Sequence, residues 1–456
     1  MRRFALFLAI LSLVLTACGG GDGGEPAEKE TPSGPVTITL WHSEPASGGD
    51  NLVKLVERFN ASQDEVKVEP LFQGNDMELA LKVIASMPSG DVPAIAYMSD
   101  GYTQTMIDSG EITPIQEYID QEGYGLSDFA PAAIGYYTVD DTLYAMPAGV
   151  LVPLMYYNKI PFREAGLDPE QPPRDLDEVR AASEKLVQRD STGNITRYGF
   201  ALDIAPWYVI FMLAGAGELY ANNENGRAGF ATEVAFDNEA GQKFFQWWND
   251  MVQEGLALNL GWDPSGANGL IAVAAGRAVM VFSSSAALRS VMDVLEKGVE
   301  GIELGVAPTP GIPGKVPEGS PGIVGRSFWI MSGRPEAERD AAWKFIKWFA
   351  EPEQQAEWFA GSGYLPVRNS AYDLPAAKDV IAKYPPFQIP ADIFPKTATT
   401  AAARGPLVGP FQQVEDSIRA AIESMVSGSA SPDEAMQAAV KTGNAAIKEY
   451  NDRMGR

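Results

Sequence analysis

The sequence predicts an α/β protein with room for two domains, and three observations carry that expectation. Short stretches rich in β-branched residues alternate with amphipathic stretches of helical period. A strand-helix-strand unit can be read directly from residues 36–68. Roughly 420 residues follow an N-terminal leader in a chain that is 45% hydrophobic, which is enough apolar material for two cores.

At the N-terminus, Arg2 and Arg3 precede the apolar run Phe4 to Leu15, and Leu15-Thr16-Ala17-Cys18 follows as a cleavage site. The run is too short to span a bilayer as a mature helix. Leu-Thr-Ala-Cys resembles the bacterial lipobox, in which the cysteine is acylated and becomes the new N-terminus. Cys18 is the only cysteine of the chain, so residues 1–17 are expected to be a lipoprotein signal peptide and Cys18 the lipid anchor. Residues 18–35 are rich in Gly, Pro, Glu, Ser and Thr. Such a stretch buries too little surface to offset its ordering entropy and reads as a flexible tether. An acylated Cys18 leaves no thiol for a disulfide, a nucleophile or a cysteine metal site.

In chain order, Val36 to Trp41 is a strand by its alternation and β-branched content. Asn51 to Asn60 is a helix, with Leu52, Val53, Leu55, Val56 and Phe59 on one face, and Val66-Lys67-Val68 starts the next strand. Helices are expected over Gly241 to Val252, with Phe244, Phe245, Trp248 and Met251 on one face, and over Ala341 to Ala350, with Trp343, Phe345, Ile346 and Phe349. These aromatic stripes read as core. The Pro/Gly-rich segment Ala307 to Gly325 reads as a long connection, and Ser431 to Tyr450 as a C-terminal amphipathic helix.

A formal net charge of -25 argues against nucleic acid as a partner, because its binding needs basic surface. With His42 the single histidine, a histidine-rich metal site is excluded, as is any Ser-His-Asp triad not built on it. Neither a P-loop nor a dinucleotide fingerprint occurs. No cofactor and no metal is expected. Asp and Glu are plentiful, so composition leaves a carboxylate-pair glycosidase open, although no spacing singles out such a pair.

Several ordered segments resemble one family: Leu40-Trp41-His42-Ser43, Arg58-Phe59-Asn60, Gln73-Gly74-Asn75, Pro93-Ala94-Ile95, Tyr156-Tyr157-Asn158-Lys159, residues 165–173 and Gly363-Tyr364-Leu365-Pro366. Together, and after a lipobox, they are similar to the extracellular solute-binding proteins (family 1) of ABC importers. The similarity is to the branch with the maltose-binding and sn-glycerol-3-phosphate-binding proteins. The resemblance implies a two-lobed periplasmic-binding-protein-like type II fold with the ligand in a cleft between lobes. Lobe one would take residues 36–148 and 328–372, and lobe two residues 149–327 and 373–456. It also implies a non-enzymatic, monomeric carrier outside the cytoplasm, in the periplasm or at the cell surface, that closes on a small polar solute and delivers it to the permease subunits.

Matched one at a time, the family's binding positions fall on Asp100 as acceptor for ligand hydroxyls, Trp207 as stacking platform, Ser284, Gly325, Tyr364 and, with a displacement of about one residue, Arg404 as the cation. Two departures stand out. Asp76 occupies the place of a tyrosine and Leu151 that of a serine in the glycerol-3-phosphate binder, and both changes disfavour a bare phosphate dianion. Arg326, where the family has a small residue, either restores a cation or faces solvent. Two ligand classes therefore stay open, a neutral sugar or oligosaccharide and a glycerol phosphate or glycerophosphodiester. The alternatives from other classes are a secreted glycoside hydrolase-like and a peptide-binding lipoprotein.

Overall fold

Alternation in β1 (Val36–His42) buries Ile38, Leu40 and His42 on one side of the strand. The computed structural model describes residues 34–263 and 265–456; the signal peptide, Cys18 and the tether as far as residue 33 lie outside the described residues. The remaining strands are β2 (Val66–Phe72), β3 (Ile95–Ser99), β4 (Ile112–Thr113), β5 (Thr138–Val139), β6 (Thr142–Leu143), β7 (Met146–Leu151), β8 (Pro153–Asn158), β9 (Gln188–Arg189), β10 (Ile195–Leu202), β11 (Ala257–Asn259), β12 (Ala278–Ser284), β13 (Leu304–Pro308) and β14 (Val324–Met331).

Two sheets organise the chain. The first runs β2-β1-β3-β14-β4, with β7 also paired to β14, and the second runs β11-β10-β12-β8-β13, with β9 on β10. In the first, β1 is parallel to β2 and β3, whereas β14 is antiparallel to β3, β4 and β7. The predicted strand-helix-strand unit is present as β1, the helix Ala46–Ser62 and β2. Both aromatic stripes are core: Trp248 lies in the helix Glu239–Gln253 under the second sheet, and Trp343 and Phe345 lie in Glu336–Phe349 under the first. The C-terminal helix Pro432–Met454 opens on a capping box, in which Ser431 and Glu434 satisfy each other's backbone N–H groups.

One expectation needs correction. Ala307 and Pro308 are not connection but the end of β13, an edge strand paired antiparallel with β8. An edge tolerates a proline because one side of its backbone needs no ladder partner. Residues 149–151 of β7 pair with residues 324–326 of β14 within the first sheet. The chain changes sheet across Val152, between β7 and β8, where Ser285 N–H donates to the Val152 carbonyl at 2.9 Å.

Candidate functional site

The parallel strands β1 and β3 end side by side, and the residues that follow them, Ser43, Glu44 and Asp100, are buried polar groups. In open α/β sheets, ligands gather at the carboxyl ends of such strands. Opposite β3, β14 brings Arg326 level with Ser99. The register of β14 against β7 shifts between Arg326 and Ser327, the kind of irregularity that re-aims a side chain beside a site. Gly325 allows the close approach there, since a Cβ on it would stand 2.9 Å from the Gly149 carbonyl and 3.3 Å from the Tyr137 hydroxyl.

Asp76 arrives from the other side as the first residue of the helix Asp76–Ser86. Its place is set by a capping box in which Asn75 Oδ1 accepts from Glu78 N–H and Glu78 Oε2 accepts from Asn75 N–H. Gly74, with φ +98°, lies so close to the Glu78 carboxylate that a side chain there has no room.

These elements converge on the Arg326 guanidinium. Its Nη1 donates to Asp76 Oδ1 at 2.6 Å and to Ser43 Oγ at 2.8 Å, and its Nη2 donates to Asp76 Oδ2 at 3.1 Å. Its Nε donates to the Tyr364 hydroxyl at 2.7 Å and is also ion-paired with Glu44. Tyr364 donates in turn to Glu44 Oε1 at 3.0 Å, its ring stacked on Trp358. Arg326 is thus neither solvent-facing nor free. Burial disfavours its charge, but Asp76 and Glu44 outweigh that and hold its pKa well above the ordinary value. Burial pushes Glu44 up, against the pull of Arg326.

Asp100 joins through its neighbour, with Oδ2 accepting from Gly325 N–H at 3.0 Å. Desolvation raises its carboxyl to about 7, and hydrogen bonds from Gly325 and Ser99 only partly oppose this. Helix Phe411–Val426 packs over the same turn, with Phe411 filling the space at Gly101 and Tyr102 Oη donating to Gln412 Oε1 at 3.0 Å. Glu415, half-buried on that helix, is raised to about 8 by burial first and then by the carboxylates of Asp100, Asp416 and Asp76.

Arg404 stands differently. Its Nε is buried without a hydrogen-bond partner, and no ion pair involves it among the described residues. The neighbouring Arg227 is saturated by carbonyls: Nη2 donates to Arg404 O at 2.9 Å, Nε to Gly405 O at 3.2 Å and Nη1 to Tyr136 O at 3.2 Å. Its guanidinium also lies 5.1 Å over the Tyr136 ring. Desolvation lowers Arg227 to about 10. Tyr136 ties this region to Asp100, donating to both the Asp100 and the Pro406 carbonyls at 3.2 Å.

The structure therefore joins Asp76, Arg326 and Tyr364 directly, adds Asp100 through Gly325, and brings Arg404 alongside through Arg227 and Tyr136. Trp207 and Ser284 belong to the second sheet's side. Trp207, half-buried, opens the helix Trp207–Gly215 with its ring 4.3 Å from Tyr208 and 5.2 Å from Phe211. Ser284 ends β12, its carbonyl accepting from Tyr156 Oη at 2.7 Å. No hydrogen bond or ring contact among the described residues links either of them to the Arg326 network. Sequence reasoning missed Glu44, Arg227 and Glu415. Glu44 alone carried a signal, as an acid directly after a buried strand and the Trp-His-Ser segment. His42 is buried beside Phe72, and burial lowers it to about 4, so it is neutral at pH 7.

Among known proteins, the chain is 28% identical to the sn-glycerol-3-phosphate-binding periplasmic protein UgpB of Pectobacterium atrosepticum over 418 residues, 91% of each chain. It is 27% identical to that of Escherichia coli K12, over 91% of this chain and 93% of the other. Its fold is similar to that of UgpB from Mycobacterium tuberculosis, solved with glycerophosphocholine, at a TM-score of 0.75 and 22% identity over 91% of this chain and 99% of the other. The GacH receptor of Streptomyces glaucescens, solved with acarbose, gives 0.74 and 21% over 91% and 99%. The model of the bacterial extracellular solute-binding proteins matches residues 54–388, most of the chain. With that match over more than half of its length, the chain belongs to the bacterial extracellular solute-binding protein family.

Proposed function

We propose that this solute-binding protein is the capture component of an ABC importer and that it takes a polyhydroxylated solute bearing at most one negative charge, a carbohydrate or a glycerophosphodiester. The observation that carries the ligand class is the saturation of Arg326 by Asp76 and Glu44. Arg326 is thus spent internally, and of the two arginines near residues 404–411, Arg227 is taken up by carbonyls while Arg404 Nε has no partner among the described residues. Asp100 and Glu415 offer carboxyl groups suited to ligand hydroxyls, and Trp207 offers a ring face of the kind sugars and apolar ligand surfaces take. The structural neighbours solved with glycerophosphocholine and with acarbose represent these two classes, whereas the sequence relatives are named for the phosphomonoester sn-glycerol 3-phosphate, from which the paired Arg326 sets this chain apart.

In this reading the two sheets are the cores of two lobes, and the solute is held where Arg227, residues 404–411 and Glu415 meet the turn 100–102 and the segment 135–136. Closure then presents both lobes to the permease. Asp76, Asp100, Trp207, Ser284, Gly325, Arg326, Tyr364 and Arg404 frame the site, with Asp76 and Arg326 acting on each other. Cys18 anchors the monomer to the membrane by lipid outside the cytoplasm, and the protein turns over no substrate.

Calorimetric titration with maltose, maltotriose, glycerophosphocholine and sn-glycerol 3-phosphate tests this. One-to-one binding of a sugar or the phosphodiester is expected, with recovery of the solute intact and a smaller radius of gyration in solution scattering. Release of a hydrolysis product, or tightest binding of the phosphomonoester, overturns it.

A further inference from the structure

We propose that Asp76 is a resident anion: its carboxylate occupies the Nη edge of Arg326 that a phosphomonoester would otherwise take, and so sets the site against dianionic solutes. The inference rests on the cleft assigned above and names the residue that decides charge selectivity there.

The geometry is that of an occupied anion site. A guanidinium presents parallel N–H donors along its Nη1–Nη2 edge, a fork that matches carboxylate and phosphate oxygens alike. Asp76 fills this fork with one oxygen on each nitrogen, at 2.6 and 3.1 Å. Ser43 completes the cradle by donating to Asp76 Oδ1 at 2.5 Å while accepting from Arg326 Nη1. A small anion in the same place would meet the same three groups. The opposite edge, Nε, is held by Tyr364 and Glu44 and keeps the guanidinium oriented whether or not Asp76 is present.

Exposure separates the two partners. The Arg326 side chain is 11% exposed and Glu44 is buried, whereas Asp76 is 41% exposed. Asp76 thus approaches Arg326 from the solvent side, the side a ligand would use. Its backbone is pinned by the Asn75–Glu78 capping box, so the carboxylate is held in place at little entropic cost. The charge count follows. Arg326 with Glu44 and Asp76 is net negative, and removing Asp76 leaves a neutral pair with at least one Nη1 and one Nη2 donor free.

Titration calorimetry of the full-length protein with sn-glycerol 3-phosphate, for the parent, Asp76→Asn, Asp76→Ala and the double variant Asp76→Ala with Arg326→Gln, tests the proposal. The two single variants are expected to bind the phosphomonoester at least about tenfold more tightly than the parent, as removing one like charge and freeing a fork should allow. The double variant should lose the gain, because Arg326 is the attracting group. Cooperative thermal unfolding of each variant shows that it folds, and the two single substitutions differ in shape, so agreement between them excludes a packing artefact. An unchanged affinity in both single variants, a parent that already binds as tightly, or a gain that survives in the double variant overturns the proposal. Maltose and glycerophosphocholine titrated in parallel report on the assigned function separately. If the parent binds neither, that reading fails while the fork comparison still decides the role of Asp76.

Discussion

Two arginines of the proposed site stand in opposite circumstances. Arg326, in β14 of the first sheet, spends its donors on Asp76, Glu44, Ser43 and Tyr364. Arg404, on the segment that leads into the helix Phe411–Val426, keeps a buried Nε with no partner. In the proposed site, Arg326 is therefore satisfied before any solute arrives and Arg404 is not. A charge paired within the fold acts on stability and specificity, and a charge left unpaired acts on affinity.

The largest effect that can break this contrast is the loss of Arg326. Arg326→Leu leaves Glu44 buried without its cation, together with the partly exposed Asp76, and should cost about 3–5 kcal/mol of unfolding free energy in a urea titration. A cost below about 1 kcal/mol would mean that the pair is no more than a surface contact. Arg404→Ala should do the reverse. It should weaken glycerophosphocholine binding by roughly tenfold to a hundredfold, as loss of a charge-assisted contact does, while unfolding stability stays within about 0.5 kcal/mol of the parent. Equal affinity in calorimetry would take Arg404 out of the site.

Tyr364→Phe sharpens the comparison further. The ring stacks on Trp358 and remains, whereas the hydroxyl that links Arg326 to Glu44 goes. A cost of about 1–2 kcal/mol is expected from the same urea titration, the usual range for a buried hydrogen-bonding group removed from its partners. The parent value would place the hydroxyl outside the network.

Much of this was readable in the sequence, for identifiable reasons. Strand β1, the helix after it and β2 follow from local periodicity. The convergence of Asp76, Arg326, Tyr364 and Asp100 came through motif order, since no periodicity connects residues so far apart in the chain. The state of Arg326 was not readable, because pairing with Glu44 depends on a register shift in β14 and on the depth of the end of β1. Glu415 lay on an amphipathic helix like any other surface acid, and only the packing of Phe411 against Gly101 shows what it faces. Strand β13 was masked by its Pro and Gly content.

The smallest expected effect concerns the acids of the proposed site. Asp100, held near 7, and Glu415, near 8, both have native pKa values above their ordinary 3.8 and 4.5. The folded protein therefore binds more protons than the unfolded chain between those limits, so stability falls as pH rises above about 4, and the fall ends once pH has passed about 7 to 8. His42, lowered from 6.5 to about 4, acts in the opposite sense below pH 6.5, where the unfolded chain takes up the proton that the buried ring refuses. The two effects separate above that point. Between pH 6.5 and 8.5 the melting temperature should decline, and the decline should flatten in the variant carrying Asp100→Asn and Glu415→Gln. A parent whose melting temperature rises across this interval, or a double variant with an unchanged slope, would show that these carboxyls stay solvated.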